Sequence, residues 1–296
     1  MIGWLLVISR LLQYAAILGT CGVVLFFADG ARRTALPTRW LIPSVCVGCI
    51  AMGAWLASES ELLAGSWTSW PVLMLQTRFG RIIVLRLLLL LGVAVLIWRS
   101  RQTGAALALV SAAAAGSLAW AGHGFIGAGL GRWVHVVSDT IHVLCATLWI
   151  GALTALTVQA LSSASGDAEA AGAFGRRLAR FSTIGPVLVA ALAATGVVNS
   201  YYLLGSNPLE ALLLTAYGRL LTAKLALFVL MLALAALNRL RLTPALQSGV
   251  TVSRWAFFKA PPLQLLRLSL LTESFLAALV LAVIAVLGNQ APPASG

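Results

Sequence analysis

Charged side chains are scarce in this 296-residue chain, and acidic ones are scarcest. Aspartate, glutamate, lysine and arginine together make up 9% of the residues, and only 8 residues are acidic. A soluble domain is usually about 25% charged, so this chain lacks the polar groups that a water-facing surface needs. With 60% hydrophobic residues, the composition predicts an integral membrane protein, whose first partner is the lipid bilayer.

The signatures of soluble enzymes are also missing. The sequence has no P-loop, no HExxH metal motif and no GxSxG nucleophile elbow. We therefore expect no enzymatic activity. The four cysteines all lie inside apolar runs, which excludes a disulfide framework of the secreted type and is typical of buried thiols.

Eight apolar runs predict an all-α membrane protein with about eight transmembrane helices in one bundle. A crossing needs about 20 apolar residues, and polar or Gly/Pro-bearing stretches separate the runs. We expect one polytopic domain over 1–296, without an internal repeat. The runs lie near 3–28, 41–58, 82–98, 104–121, 133–160, 181–204, 211–236 and 268–288.

Most lysines and arginines fall in the linkers after the first, third, fifth and seventh runs. Short cytoplasmic loops carry such an excess, so these linkers are predicted to be cytoplasmic and both termini periplasmic. The net charge of +12 then reflects topology, and we expect no nucleic-acid partner.

All three histidines lie in one short stretch, which predicts a metal site at the outer membrane boundary. His135, Asp139 and His142 share one helical face, and a glycine-rich link brings His123 near them. Imidazole and carboxylate are ordinary ligands for copper, zinc, nickel and iron. Alternatively, Asp139 is not a ligand but orients a metal-binding histidine by accepting the N–H of that histidine's other ring nitrogen. Two interpretations compete with a metal site. The histidines are interfacial residues that hydrogen-bond to backbone or water, or they form a proton relay.

A second candidate is a stripe of sulfur side chains along the second run. Cys46, Cys49 and Met52 follow each other at intervals of three, with Cys21 at a similar depth on the first run. Cys145 lies one turn below His142 and extends a path inward. Soft sulfur ligands suit Cu(I), although buried cysteine and methionine are more often packing residues.

Several ionisable residues inside the apolar runs need partners. Arg10 and Arg86 lie at depths that allow either one to pair with Asp139. Lys224 lies inside the seventh run, and Glu273 in the eighth is expected to meet Asn238 or Arg239 near the cytoplasmic boundary.

Several segments resemble the copper resistance protein D family (CopD/PcoD). The resemblance covers nearly the whole chain and is carried by SLAWAGHGFIGAG, by HVVSDTIHVLCATLWIGALTAL and by FSTIGPVLVAALAATGVVNSYYLLGS. Its more specific motifs are AGH, H-x6-H-x6-W-x-G and TAYGRLL-x2-K.

The resemblance implies an eight-helix protein of the bacterial inner membrane that moves copper from periplasm to cytoplasm. It also implies a small periplasmic copper carrier of the CopC type as partner. Copper is then expected at His123, His135 and His142, with Asp139 beside them. Tyr217, Arg219 and Lys224 match the helix-seven motif.

Two other functions stay open on the sequence alone. One is a b-type haem electron-transfer protein or cupric reductase with two histidines as axial ligands. The other is a copper-delivery or assembly protein that binds the metal without moving it across the membrane.

Overall fold

The computed structural model describes residues 2–28, 36–100, 102–121, 129–162, 168–205, 207–248 and 262–295. These residues form helices joined by short connections, which confirms the all-α prediction. Seven of the described helices are long and apolar enough to cross a membrane. The helices are α1 Ile2–Phe27, α2 Thr38–Ala64, α3 Trp70–Gln76, α4 Arg78–Ser100, α5 Ala105–Gly116, α6 Gly129–Ser162, α7 Ala168–Leu204, α8 Pro208–Leu214, α9 Ala216–Leu237, α10 Thr243–Ser248 and α11 Pro262–Leu287.

The predicted fourth span is shorter than the others. It consists of α5 and the 3₁₀ turn Ser117–Trp120. At the usual rises of the two helix types the pair extends about 26 Å, slightly less than the roughly 30 Å hydrocarbon core. The structure therefore has seven long apolar helices and one short apolar segment, where the sequence predicted eight comparable ones.

The helix ends differ from the apolar runs because helix propensity continues past the apolar residues. Helix α2 runs on to Ala64, and Gly65 ends it in the left-handed region, with φ of 64°. Helix α7 begins at Ala168, since alanine, glutamate and arginine are good helix formers in water as well. The predicted seventh run is divided into the short helix α8 and the long helix α9.

Helices α1 and α6 cross at the centre of the bundle. A Cβ atom on Gly22 would lie only 2.8 Å from the Cα of Gly151, so only glycine permits this approach of the two backbones. Around this pair, α1 packs on α2, α5 and α11, and α6 packs on α7, α11 and α5.

This packing is an internal repeat, which the sequence analysis did not expect. Helix α1 packs on α2 and α5 in the way that α6 packs on α7 and α11. The contact of α1 with α11 likewise corresponds to the contact of α6 with α5. Residues of α1 also recur in α6 at one constant separation along the chain. The recurring pairs are Trp4 and Trp133, Ser9 and Ser138, and Gly22 and Gly151.

The hairpins α3–α4 and α8–α9 show the same repeat in atomic detail. The Thr77 hydroxyl donates to the Leu73 carbonyl at 2.6 Å and accepts from the Gly80 N–H at 2.9 Å. Thr215 makes the same two bonds with Ala211 at 2.5 Å and Gly218 at 2.9 Å. In both hairpins the short helix lies against the glycine of the long one.

The chain thus consists of an N-terminal half, α1 to α5, and a C-terminal half, α6 to α11. The halves differ in one respect that matters for the site. Helix α2 packs directly on α4, whereas α7 and α9 make few close contacts. One cavity of the C-terminal half lies in the gap between α7 and α9, and a second cavity there is also lined by helices of the N-terminal half.

Candidate metal site

A cavity of about 240 Å³ lies at the centre of the bundle, between α1, α6, α7, α9 and α11, and Trp55 of α2, Arg86 of α4 and Leu118 of the 3₁₀ turn close its other side. We call it the histidine cavity. Three predicted site residues line it together, namely His135, Asp139 and His142 on α6. Their spacing of four and three residues places them on one face of α6, as predicted. The fourth predicted residue, His123, lies outside the described residues.

The ring of His142 is oriented by α7. Its Nδ1 lies 2.9 Å from the hydroxyl of Thr195, and that hydroxyl already donates its proton to the Ala191 carbonyl at 2.6 Å. Since the hydroxyl has only one proton, Nδ1–H of the imidazole is the donor. This tautomer leaves the Nε2 lone pair available to bind a metal.

The ring of His135 is held by stacking. It lies parallel to the ring of Tyr202, with centroids 4.9 Å apart and an interplanar angle of 11°. His135 is buried, while Asp139 and His142 are half-buried.

Asp139 bonds to α7, shares the cavity with Lys224 of α9 and pairs with neither arginine, which corrects the predicted pairing. Its carboxylate accepts from Asn199 Nδ2 at 3.1 Å and attracts the Lys224 ammonium. Both arginines line the same cavity, but their side chains are bound to partners in the N-terminal half. Arg10 binds Glu59 at 3.4 Å, and Arg86 donates to the Ser117 hydroxyl and carbonyl at 3.0 and 2.8 Å.

Two residues of the predicted helix-seven motif face the same cavity. Tyr217 and Lys224 line it, opposite the α6 residues, and Tyr217 is buried. Arg219, between them in sequence, is exposed and lies outside this lining. The site therefore combines two imidazoles and one carboxylate with cationic side chains around them.

Within the described part of the chain, no three side chains among histidine, cysteine, aspartate and glutamate form a ready-made metal cluster. His135, Asp139 and His142 share a cavity and leave room between them. Nitrogen and oxygen donors of this kind suit copper, zinc, nickel and iron.

A second cavity, of about 380 Å³, lies further along α6, α7, α9 and α11, four of the helices that line the first cavity. We call it the inner cavity. Glu273 and Asn238 line it, and Asn238 Nδ2 donates to the Glu273 carboxylate, which confirms the predicted contact. Asn238 begins a π-helical turn, a distortion frequent at functional sites. Trp149 of this cavity follows His142 by about 10 Å of helical rise.

Of the predicted sulfur stripe, Cys49 and Met52 line one cavity, whereas Cys46 does not. Each step of three residues falls about 60° short of a full helical turn, so the stripe rotates around α2. Cys46 is exposed, Cys49 is half-buried and Met52 is buried. Cys21 is sealed in the core between the helices, and Cys145 is half-buried beside the same core.

Sequence reasoning missed the contribution of α7. Thr195, Asn199 and Tyr202 hold His142, Asp139 and His135 respectively. Thr195 and Asn199 are polar residues four apart in an apolar run, which was a signal for a buried polar helix face.

Comparisons with known proteins identify the family. A profile described as "Copper resistance protein D-like, N-terminal domain" matches residues 1–133, and one described as "Copper resistance protein D" matches 175–287. Copper resistance protein D of Pseudomonas syringae pv. tomato is 33% identical over 92% of this chain and 86% of its own length. The chain belongs to the copper resistance protein D family.

Two further relatives of this family member are more distant. Inner membrane protein YebZ of Escherichia coli K12 is 30% identical over 67% of the chain and 68% of its own length. Copper transport protein CutJ of Bacillus subtilis 168 is 29% identical over 40% of the chain and 21% of its own length. No solved structure matches this family member.

Proposed function

We propose that this protein binds copper in the histidine cavity and carries it from the periplasm towards the cytoplasm. The observation that carries the proposal is the placement of His135, Asp139 and His142 around one cavity in a protein of the copper resistance protein D family. Copper is the substrate, and the protein acts as a permease and not as an enzyme.

Charge distribution supports the orientation. The end of the bundle with the histidine cavity is periplasmic in this proposal, together with both termini and the short helices α3 and α8. The opposite end is cytoplasmic, in agreement with the bias of basic residues. It carries Arg99, Arg176, Arg177, Arg180, Arg239, Arg241 and Arg267. The α5 segment with its 3₁₀ turn makes the eighth crossing, in a bacterial inner membrane.

The metal path runs along α6, α7, α9 and α11, from a cavity that both halves line into one that lies in the C-terminal half. The histidine cavity and the inner cavity are stacked along α6, α7, α9 and α11. Copper released by His142 moves past Cys145 and Trp149 and leaves through the inner cavity beside Glu273. Cys21 lies off this path because the surrounding helices bury it completely. A periplasmic carrier of the CopC type delivers the metal to the outer end.

The geometry of the two described histidines does not favour haem binding, and His123 lies outside the described residues. His135 and His142 lie on the same helix, about 10 Å apart along its axis. Axial ligands of one haem stand on opposite faces of the ring, which two residues on one helix face do not provide. An absorption spectrum of the purified protein is expected to lack a Soret band.

The test is copper binding and uptake by the variants His142→Ala and Asp139→Asn. Thr154→Ala is the matched control, since Thr154 is an exposed residue of the same helix that bonds only its own backbone. We expect both site variants to bind copper at least tenfold more weakly in metal titrations. Uptake into proteoliposomes is expected to fall in parallel.

Unchanged binding and uptake in both variants would refute the site. If a variant lost uptake but still bound copper normally, the mutated residue would act in transport and would not be a copper ligand. Bound copper in the wild type without uptake into proteoliposomes would establish the delivery function instead of transport.

A further inference from the structure

A third cavity, of about 310 Å³, lies between α2, α3 and α4 of the N-terminal half. We call it the sulfur cavity, because Cys49, Met52 and Met74 all line it. Its other walls are apolar. Three of the eight sulfur-bearing residues of the whole chain thus converge on one small space. The sequence stripe indicated Cys49 and Met52, but it did not indicate Met74, which follows them by more than twenty residues.

Under the internal repeat, part of the wall of the sulfur cavity is equivalent to part of the wall of the histidine cavity. Helices α2 and α7 align through Pro43 with Pro186 and Gly53 with Gly196, two pairs at one separation along the chain. The alignment then matches the walls of the two cavities. Gly53, Leu56 and Ala57 line the sulfur cavity, and their equivalents Gly196, Asn199 and Ser200 line the histidine cavity.

Further equivalents follow the same pattern. Ile83 of α4 follows Thr77 by as many residues as Leu221 of α9 follows Thr215, so the two are equivalent. Ile83 lines the sulfur cavity, and Leu221 lines the histidine cavity. Met52 corresponds to Thr195, which orients His142. The donors themselves stand at different positions, because His135, Asp139 and His142 correspond to Leu6, Arg10 and Gln13 of α1, which do not line the sulfur cavity. The two cavities therefore share part of a wall and carry different donor side chains.

The hairpin fixes the position of Met74. Gly80 of α4 has no side chain, and a Cβ atom there would collide with the backbone of Met74. Thr77 locks the turn between the two helices. Met74 is thereby held over α4, facing Cys49 and Met52 across the cavity.

We propose that the sulfur cavity is a Cu(I) site with Cys49, Met52 and Met74 as ligands. One thiolate and two thioethers are soft donors, which select Cu(I) over Cu(II) and over hard cations. Cys49 and Met74 are half-buried and Met52 is buried, so the metal enters from the α3 end of the bundle. This proposal rests on the copper-handling function proposed above and adds a second site of different metal preference.

The test uses Ag⁺, a redox-inert ion with the same soft character, on the purified full-length protein. The variants are Cys49→Ser and the double variant Met52→Leu/Met74→Leu, which keeps side-chain volume. Cys46→Ser and Met231→Leu are the controls. Cys46 is an exposed thiol of the same helix, and Met231 is a buried methionine of the core.

Calorimetric titration is expected to show at least tenfold weaker Ag⁺ binding in Cys49→Ser and in the methionine double variant. The two controls are expected to bind as the wild type does, in samples whose circular dichroism and gel-filtration profiles match. In the wild type, Ag⁺ is expected to slow maleimide labelling of Cys49 more than labelling of Cys46.

Two outcomes would overturn the proposal. Undiminished Ag⁺ binding in the methionine double variant would show that a thiol alone holds the ion. Equal losses in Cys46→Ser and Cys49→Ser would show unspecific thiol binding. His142→Ala separates the two sites, because it is expected to weaken Cu(II) binding and leave Ag⁺ binding at Cys49 unchanged. A negative result for Ag⁺ at the sulfur cavity would therefore not refute copper binding in the histidine cavity. A negative result for Cu(II) at the histidine cavity would likewise not refute the sulfur site.

Discussion

At the scale of single residues, the site depends on side chains that hold the predicted ligands. Sequence patterns were sufficient to place His135, Asp139 and His142 on one helix face and to pair Glu273 with Asn238. They were insufficient for Thr195, Asn199 and Tyr202, because contacts between α6 and α7 depend on how the two helices pack. The predicted pairing of Asp139 with an arginine was wrong for the same reason, since depth alone does not show that Glu59 and Ser117 already bind Arg10 and Arg86.

Thr195→Val is the residue-scale prediction. Valine has nearly the shape of threonine but cannot accept the Nδ1–H of His142, so the ring loses its fixed tautomer. Loss of such a group that orients a metal ligand typically costs about 10- to 100-fold in metal affinity. We expect a weakening in that range in copper titrations. Thr183→Val on the same helix is the control, because exposed Thr183 bonds only its own helix carbonyl; an equal effect there would contradict the role of Thr195.

At the scale of helices, glycine positions determine which elements touch. Apolar runs predicted most of the long helices, but they carried no information about the crossing of α1 and α6. That crossing depends on Gly22 and Gly151, two glycines among the 27 of the chain. The short helices α3 and α8 were also missed, because each is only 7 residues long and merges with apolar sequence around it.

Gly22→Ala is the prediction for helix packing. A methyl group at this position meets the Gly151 backbone, and forced overpacking typically destabilises a protein by about 1–3 kcal/mol. We expect a lower melting temperature in detergent, measured by the fluorescence of buried tryptophan. Gly19→Ala on the same helix has no atom within 4 Å of the added Cβ and is expected to melt like the wild type or slightly higher. Equal melting of all three proteins would refute the close contact.

At the scale of the whole molecule, the two halves share one framework and differ in their cavities. The repeat is hard to see in the sequence because its matching residues are few and most positions in both halves are interchangeable apolar residues. It becomes visible once the Thr77 and Thr215 turns are seen to make the same hydrogen bonds. Four helical segments in each half would insert both halves into the membrane in the same orientation.

Reporter fusions test this arrangement at the short α5 segment. If α5 and its 3₁₀ turn complete a crossing, alkaline phosphatase fused after Gln102 stays in the cytoplasm and is inactive. The same enzyme fused after Ala121 reaches the periplasm and is active. Fusions after Gly65 and after Ser100 are the periplasmic and cytoplasmic references. Matching activity at Gln102 and Ala121 would mean that the segment does not cross and that the halves are not equivalent.

The contact between Gly22 and Gly151 also bears on how such a chain arises. Each glycine occupies the same place in its own half, so each meets its own counterpart at the crossing. That is the relation between two identical subunits of a symmetric dimer, in which a residue on the two-fold axis touches its own copy. An ancestral protein of half this length, paired with itself, would have had two copies of every helix position. Fusion of two gene copies would then have allowed the α6 copy to acquire histidines at positions where α1 has Leu6 and Gln13.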